Sequence, residues 1–259
     1  MENFLNAFNQ FPAFNSALAA GLLIFARFMG FLRFAPVVSR KEVPTLVKVG
    51  FSLVLTIIFL GVLHIDPMPK NCPYSLCLFL NVVAGALVGF IANAIFLMVA
   101  AGGDIINMQM GLTSSTMFDQ NTRNQSSVLG TFFNLFAVVI YCNIGGLYWL
   151  FNAFLKTFEL YNIWGTSIPL EKFASLDYLI TITASVLFVG LQIAAPVLLA
   201  TLGQDIILGI ISKTAPQVNV FQLSFLFKPV LGAAILIFIL PILLNVIQDY
   251  YTYYSNILN

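Results

Sequence analysis

Charge is what this chain lacks most. Only 8% of its 259 residues are Asp, Glu, Lys or Arg, against about 25% in a soluble domain. So few charges cannot cover a water-facing surface, which leaves a membrane protein or an obligate member of an apolar assembly. The formal net charge is +1, so there is no electrostatic case for nucleic acid. Histidine is nearly absent: His64 is the only one, and no Cys/His metal set can be assembled around it. Cys72 and Cys77 flank a proline, Cys142 lies alone in an apolar run, and all three are expected as thiols. No basic residue precedes Arg27, so the start does not read as a cleavable signal, and the first apolar segment is expected to be retained. There is no Gly-rich phosphate loop, no His-Glu-x-x-His and no Ser/His/Asp set. We therefore expect no enzyme and no cofactor.

Apolar runs are what the chain has in abundance. Six stand out, near 16–36, 46–65, 74–103, 126–156, 178–211 and 222–248, each close to or above the ~20 residues that cross a bilayer. Prolines and polar clusters punctuate them, among them Pro36, Pro44, Pro67, Pro69, Pro73 and Pro216. The expected fold is all-α: about six long apolar helices, joined as antiparallel hairpins into one domain over 1–259. The third, fourth and fifth runs exceed a bilayer, so they tilt, break or leave it. Arg40, Lys41, Lys48, Arg123 and Lys213 lie at the first, third and fifth connections, while Lys70, Lys156 and Lys172 lie at the other two. The positive-inside rule puts the odd connections in the cytoplasm and both termini outside.

Polar residues inside such runs carry information, because each is costly there. Arg33 can snorkel to the interface, but Arg27 is central, at roughly 2.5–3.5 kcal/mol on insertion scales. It is expected to face protein, in an ion pair between helices or between subunits. From Gly102 to Asp119 the apolar pattern gives way to a carboxylate, amides, hydroxyls and methionines. As a helix, this stretch lines up Asp104, Asn107, Met108 and Gly111 on one face, with Gln109 and Met110 beside them. Beyond Gly111, the run Thr113-Ser114-Ser115-Thr116 continues a helix poorly, because short hydroxyl side chains compete for backbone partners. The stretch reads as a striped helix dissolving into a small-residue loop tipped by Met117 and Phe118, a shape that lines or blocks a passage. Gly102-Gly103-Asp104-Ile105-Ile106 is echoed by Gly203-Gln204-Asp205-Ile206-Ile207. Either this is chance among abundant Gly and Ile, or two pseudo-repeated parts turn matching stripes toward one path. On the residues alone, Asp104 and Asp205 equally suit a proton- or ion-coupled secondary transporter.

A resemblance then bears on the choice. Lys213-Thr214-Ala215-Pro216-Gln217-Val218-Asn219-Val220-Phe221, with Lys228 beyond it, resembles the FliR family of flagellar export proteins and its injectisome counterpart. Gly103-Asp104-Ile105-Ile106, with Gln109-Met110-Gly111 and the hydroxyl residues that follow, is similar to it too, as are Arg33, Ala35-Pro36, Pro44 and Lys48. Gln120 stands where that family usually has proline, and Gly145-Gly146 where Gly-His is common. The resemblance implies a subunit of the type III export gate of a flagellar basal body in the bacterial inner membrane. It implies FliP and FliQ as gate partners, contact with FlhB and FlhA, and unfolded flagellar proteins as cargo. Helical hairpins wound into a conical channel, raised above the bilayer plane on the outer side, would replace a plain six-span arrangement. It further implies that Gly111, Leu112, Thr113, Ser114, Ser115, Thr116, Met117 and Phe118 plug the closed pore, anchored by the stripe at Asp104. Lys213, Pro216, Gln217, Asn219, Phe221 and Lys228 would then pack against sister subunits. Flexible methionines can deform around cargo, and an apolar constriction resists water and ions. The plainer alternative for 111–118 is a packed helix-to-helix loop.

Overall fold

A computed structural model describes residues 12–40, 43–63, 69, 73–113, 127–166 and 176–258. Seven helices make up the described secondary structure. They are α1 (Pro12–Phe34), α2 (Thr45–Val62), α3 (Tyr74–Gln109), α4 (Val128–Asn143), α5 (Gly146–Leu160), α6 (Leu176–Thr214) and α7 (Val220–Leu258). The all-α expectation holds: five of these are long and apolar enough to cross a membrane, and α4 with α5 makes a sixth if counted as one broken span. The predicted fourth run breaks at Gly145, whose φ of +79° ends α4 in the left-handed region that glycine adopts freely. The third and sixth runs extend further than their apolar cores, to Gln109 and Leu258. Pro196, Pro229 and Pro241 lie inside α6 and α7, as apolar surroundings allow where neighbours satisfy the freed carbonyls. Neither Cys77 nor Cys142 forms a disulfide, and Cys72 lies outside the described residues.

The chain divides into two compact units, Met1–Asn93 with Tyr148–Leu179, and Ala94–Leu147 with Ile180–Asn259. In the first, α1 is the hub. It runs antiparallel to α2, with Gly21 against Leu60 and Met29 against Ser52. It runs parallel to α3, where Gly30 meets the Val82 carbonyl and Gly85 meets the Arg27 carbonyl so closely that neither position has room for a Cβ. Small residues at such a seam let backbones touch where apolar burial alone gives no drive to associate. Phe28 and Phe31 pack on Phe154, at ring separations of 4.7 and 4.3 Å, tying α5 to the same hub. Helix α2 is inverted relative to a soluble helix: its buried residues are Ser52 and Thr56, whereas Leu46 is 83% exposed. Both hydroxyls donate to carbonyls of their own helix, Val49 at 2.8 Å and Ser52 at 2.7 Å. A helix built so is made for an apolar exterior.

Arg27 corrects one expectation. It is fully buried, but its partners are neutral rather than a carboxylate. Nε and Nη2 donate to Asn81 Oδ1 at 2.9 and 2.6 Å, Nη1 to the Thr157 carbonyl at 2.9 Å, and Nη2 to the Tyr161 carbonyl at 3.0 Å. Those carbonyls belong to the C-terminal end of α5, where the negative end of the helix dipole favours a cation, and the Thr157 carbonyl also takes the Tyr161 amide at 3.0 Å. The Phe158 ring lies 4.3 Å from the guanidinium carbon, adding a cation–π contact. Arg27 thus caps α5 from another helix.

The second unit holds two helical hairpins. The C-terminal part of α3 runs antiparallel to α4, with Gly103 against Gly130 and Phe96 against Tyr141. Helix α6 runs antiparallel to α7, with Asp205 against Lys228. Between hairpins, α3 and α6 run parallel: Ala101 meets Gly190 and Gln109 meets Thr201. The 110–127 and 215–219 connections therefore turn at the same end of this unit, as expected for the third and fifth connections of one topology.

Candidate functional site

Helix α3 stops for a reason that lies in Gly111. Its φ is +74°, the Leu112 amide donates to the Asn107 carbonyl at 3.1 Å, and the Gly111 amide donates to Met108 at 3.0 Å. This pair of bonds is the Schellman stop, with glycine in the left-handed position. A Cβ at Gly111 would meet nothing within 4 Å, so glycine serves dihedral freedom here, not close packing. Thr113 is the last described residue of this connection; Ser114, Ser115, Thr116, Met117 and Phe118 lie outside the described residues.

The far end of the connection is capped as firmly. Ser127 is the N-cap of α4, its Oγ accepting from the Gly130 amide at 2.8 Å. The same hydroxyl donates to Asp104 Oδ1 on α3. Asn107 Oδ1 lies 3.5 Å from the Leu129 amide as a long, weak acceptor, while the Asn107 backbone carbonyl takes the Leu112 amide. One residue therefore touches both ends of the connection. Asp104 lies at the positive end of the α4 dipole, where a carboxylate is favoured. A Cβ on Gly130 would strike this carboxylate, and one on Gly103 would come within 2.7 Å of the Gly130 Cα.

The rest of the stripe splits between faces. Asn107 and Met110 are buried, Met108 is 70% exposed and Asp104 is exposed. Met110 lies along α7, where a Cβ on Gly232 would come within 2.6 Å of its Cγ and Sδ. Gln109 Nε2 donates to Thr201 Oγ1 at 2.9 Å, and that hydroxyl donates on to the Val197 carbonyl at 2.8 Å. Asp205 holds a different partner from Asp104: Lys228 Nζ lies 2.9 Å from its Oδ1 and 3.0 Å from its Oδ2. The structure thus engages each aspartate separately, one with Ser127 and one with Lys228.

The motif of the fifth connection forms a turn followed by a cap. The Val218 amide donates to the Ala215 carbonyl at 3.0 Å, with Pro216 at the second turn position, which suits its fixed φ. Asn219 Oδ1 accepts from the Gln222 amide at 3.2 Å, capping α7. Lys213 sits in the last turn of α6, favourable to its dipole. Pro216, Gln217, Asn219 and Phe221 are exposed, and a groove of about 480 Å³ opens beside them, lined by Val218, Asn219, Gln222, Leu223, Phe225 and Leu226. Among the described residues, no group of three or more His, Cys, Asp or Glu could hold a metal. Ser127 and Thr201 were missed in the sequence. Ser127 had a signal, a cap-type residue immediately before an apolar run; Thr201 had none.

Comparison with known proteins places this geometry. Residues 18–253 match the family model described as bacterial export proteins, family 1. The flagellar biosynthetic protein FliR of Escherichia coli (strain K12) is 25% identical over 234 residues, covering 90% of this chain and 88% of its own. FliR of Bacillus subtilis (strain 168) is 26% identical over 247 residues, 93% of this chain and 91% of its own. The surface presentation of antigens protein SpaR of Salmonella typhimurium is 33% identical over 156 residues, 60% of this chain and 57% of its own. With almost the whole chain under the family model, this protein belongs to the bacterial export proteins, family 1.

Proposed function

We propose that the chain is a membrane-embedded subunit of a flagellar type III export gate, conducting unfolded proteins and catalysing nothing. The observation that carries this is the family match over residues 18–253, joined by relatives named for flagellar biosynthesis at near full length. The gate sits in the inner membrane at the basal body, built with FliP and FliQ and contacted by FlhB and FlhA. The exposed apolar faces of α2, α6 and α7 suit burial against such sister subunits or lipid. Lys213, Pro216, Gln217, Asn219 and Phe221 lie exposed beside the groove at the start of α7, and Lys228 follows on the same helix. This suits a packing motif.

Within the gate, we assign the plug to Gly111 through Phe118. Support comes from the end of α3: a helix that stops sharply at Gly111 and a connection whose two ends are held together. The coupled-transporter reading of Asp104 and Asp205 has no such observation behind it, since the two carboxylates serve different partners. Deleting Thr113 to Met117 tests the plug. Cells carrying the deletion should assemble the gate, shown by unlike small membrane proteins co-purifying in mild detergent, yet leak small solutes. Unchanged permeability of an assembled deletion gate would remove the plug assignment.

A further inference from the structure

We infer that Asp104 and Asn107 are positioning residues forming a collar that keeps both ends of the 111–127 connection together while the gate opens and closes. The inference rests on the plug reading of that connection and adds how it is held. Three observations meet at this point. Ser127 Oγ serves α4 as its N-cap and also donates to Asp104, so the start of α4 and the end of α3 share one hydroxyl. Asn107 accepts the Leu112 amide on its backbone carbonyl and faces the Leu129 amide with its side-chain oxygen. Gly103 and Gly130 bring the two backbones nearly into contact behind these bonds.

The chemistry favours a tie that stays closed most of the time. A hydroxyl donating to a carboxylate beside a helix N-terminus combines a charge-assisted hydrogen bond with the helix dipole. Asn107 is 1% exposed and its Nδ2 has no partner, so this amide is buried at a cost and acts through its oxygen. Bonds of this kind fix the stem of the connection. Opening then needs no separation of α3 from α4.

The test uses assembled gates in cells and reads small-solute leak and export together. Asp104→Ala removes the acceptor for Ser127 and should raise leak about tenfold, the weight of one hydrogen bond to a charged group, with unlike subunits still co-purifying. Asp104→Asn keeps an oxygen for Ser127 and should restore leak to within about twofold of the parent. The pair Asp104→Cys with Ser127→Cys replaces the bond with a covalent one. Oxidised, it should be as tight as the parent and should still export; reduced, it should leak like Asp104→Ala. Loss of export on oxidation would show that the ends must part, and the collar would fall. So would an Asp104→Ala gate as tight as the parent when the 113–117 deletion leaks; if neither leaks, the plug reading itself falls.

Discussion

Replacing Arg27 with methionine keeps most of the stem volume and removes every donor. Two buried acceptors then lose the donors that the guanidinium gave them, Asn81 Oδ1, which received two bonds, and the Tyr161 carbonyl, while the Thr157 carbonyl keeps the Tyr161 amide at 3.0 Å. An unmet buried acceptor costs about 1–3 kcal/mol, and the contact with Phe158 adds about 1 kcal/mol. Against that, the variant no longer has a fully buried guanidinium to desolvate, a penalty of several kcal/mol per ion. Removing one partner from an established buried network nonetheless destabilises, because the acceptors remain while their donor does not. The net expectation is a loss of about 3–4 kcal/mol, which for a chain of this size lowers Tm by about 6–16 °C.

Arg27→Lys separates geometry from charge. A lysine keeps the cation but not the planar fork that reaches Asn81 and two carbonyls at once, so it should recover less than half of the lost Tm. The assay is thermal unfolding of the purified chain in mild detergent, with protease protection of α5 as a local readout. A methionine variant with the parent's Tm would refute the capping account; a lysine variant equal to the parent would show that charge alone suffices.

Two further substitutions test local strain. Val37 has a φ of 71° in a γ-turn closed by the Val38 amide on the Pro36 carbonyl at 2.9 Å, a conformation that costs a β-branched residue about 1–3 kcal/mol. After allowing for the added freedom of glycine in the unfolded chain, Val37→Gly should raise Tm by about 2–4 °C, and a fall would show that the turn holds no strain. Gly146→Ala would put a Cβ 2.6 Å from the Tyr141 ring, which is buried against Phe96 and Tyr251. Overpacking of about 1–3 kcal/mol follows, seen as a Tm several degrees lower, and an unchanged Tm would mean that the ring moves at no cost.

The legibility of the fold followed the kind of signal each feature leaves. Six apolar runs gave the helices, because burial in lipid or against a sister subunit requires length and apolarity alike. The break at Gly145 was legible only as a departure from Gly-His. Its cause is the left-handed turn at Gly145 together with a Gly146 that has no room for a side chain beside Tyr141. Helix α3 runs past its apolar core to Gln109 because the stripe residues find partners on α4 and α6, and helix propensity alone does not register such partners. The stop at Gly111 was placed rightly but argued from the hydroxyls after it, when the glycine dihedral sets it. Arg27 was read toward an ion pair, since a buried cation suggests a carboxylate, whereas backbone carbonyls at a helix end leave no mark in a sequence. Lys228 was taken as part of a packing motif with no indication that Asp205, on the neighbouring helix, would hold it.

In a chain so poor in polar groups, the buried polar atoms that are paired and those that stay unmet both bear on stability. In the first unit, Arg27 is fully engaged with Asn81, whose Nδ2 donates to the carbonyls of Cys77 and Ile163 at 2.7 and 2.8 Å, and Thr157 Oγ1 donates to Phe154. In the second unit, Asn107 Nδ2, the Tyr141 hydroxyl and both amide atoms of Gln204 are buried without a partner. Each such atom subtracts about 1–3 kcal/mol from the unit that holds it, and native structures keep few of them. Asn107 belongs to the collar, and Gln204 lies one helical turn beyond Thr201, which receives Gln109. Asn107 and Gln204 therefore lie on helices that end or flank the 110–127 connection, while the Arg27 network of the first unit is satisfied. Left unmet, the amides of Asn107 and Gln204 hold the stability of this unit below what its packing could reach.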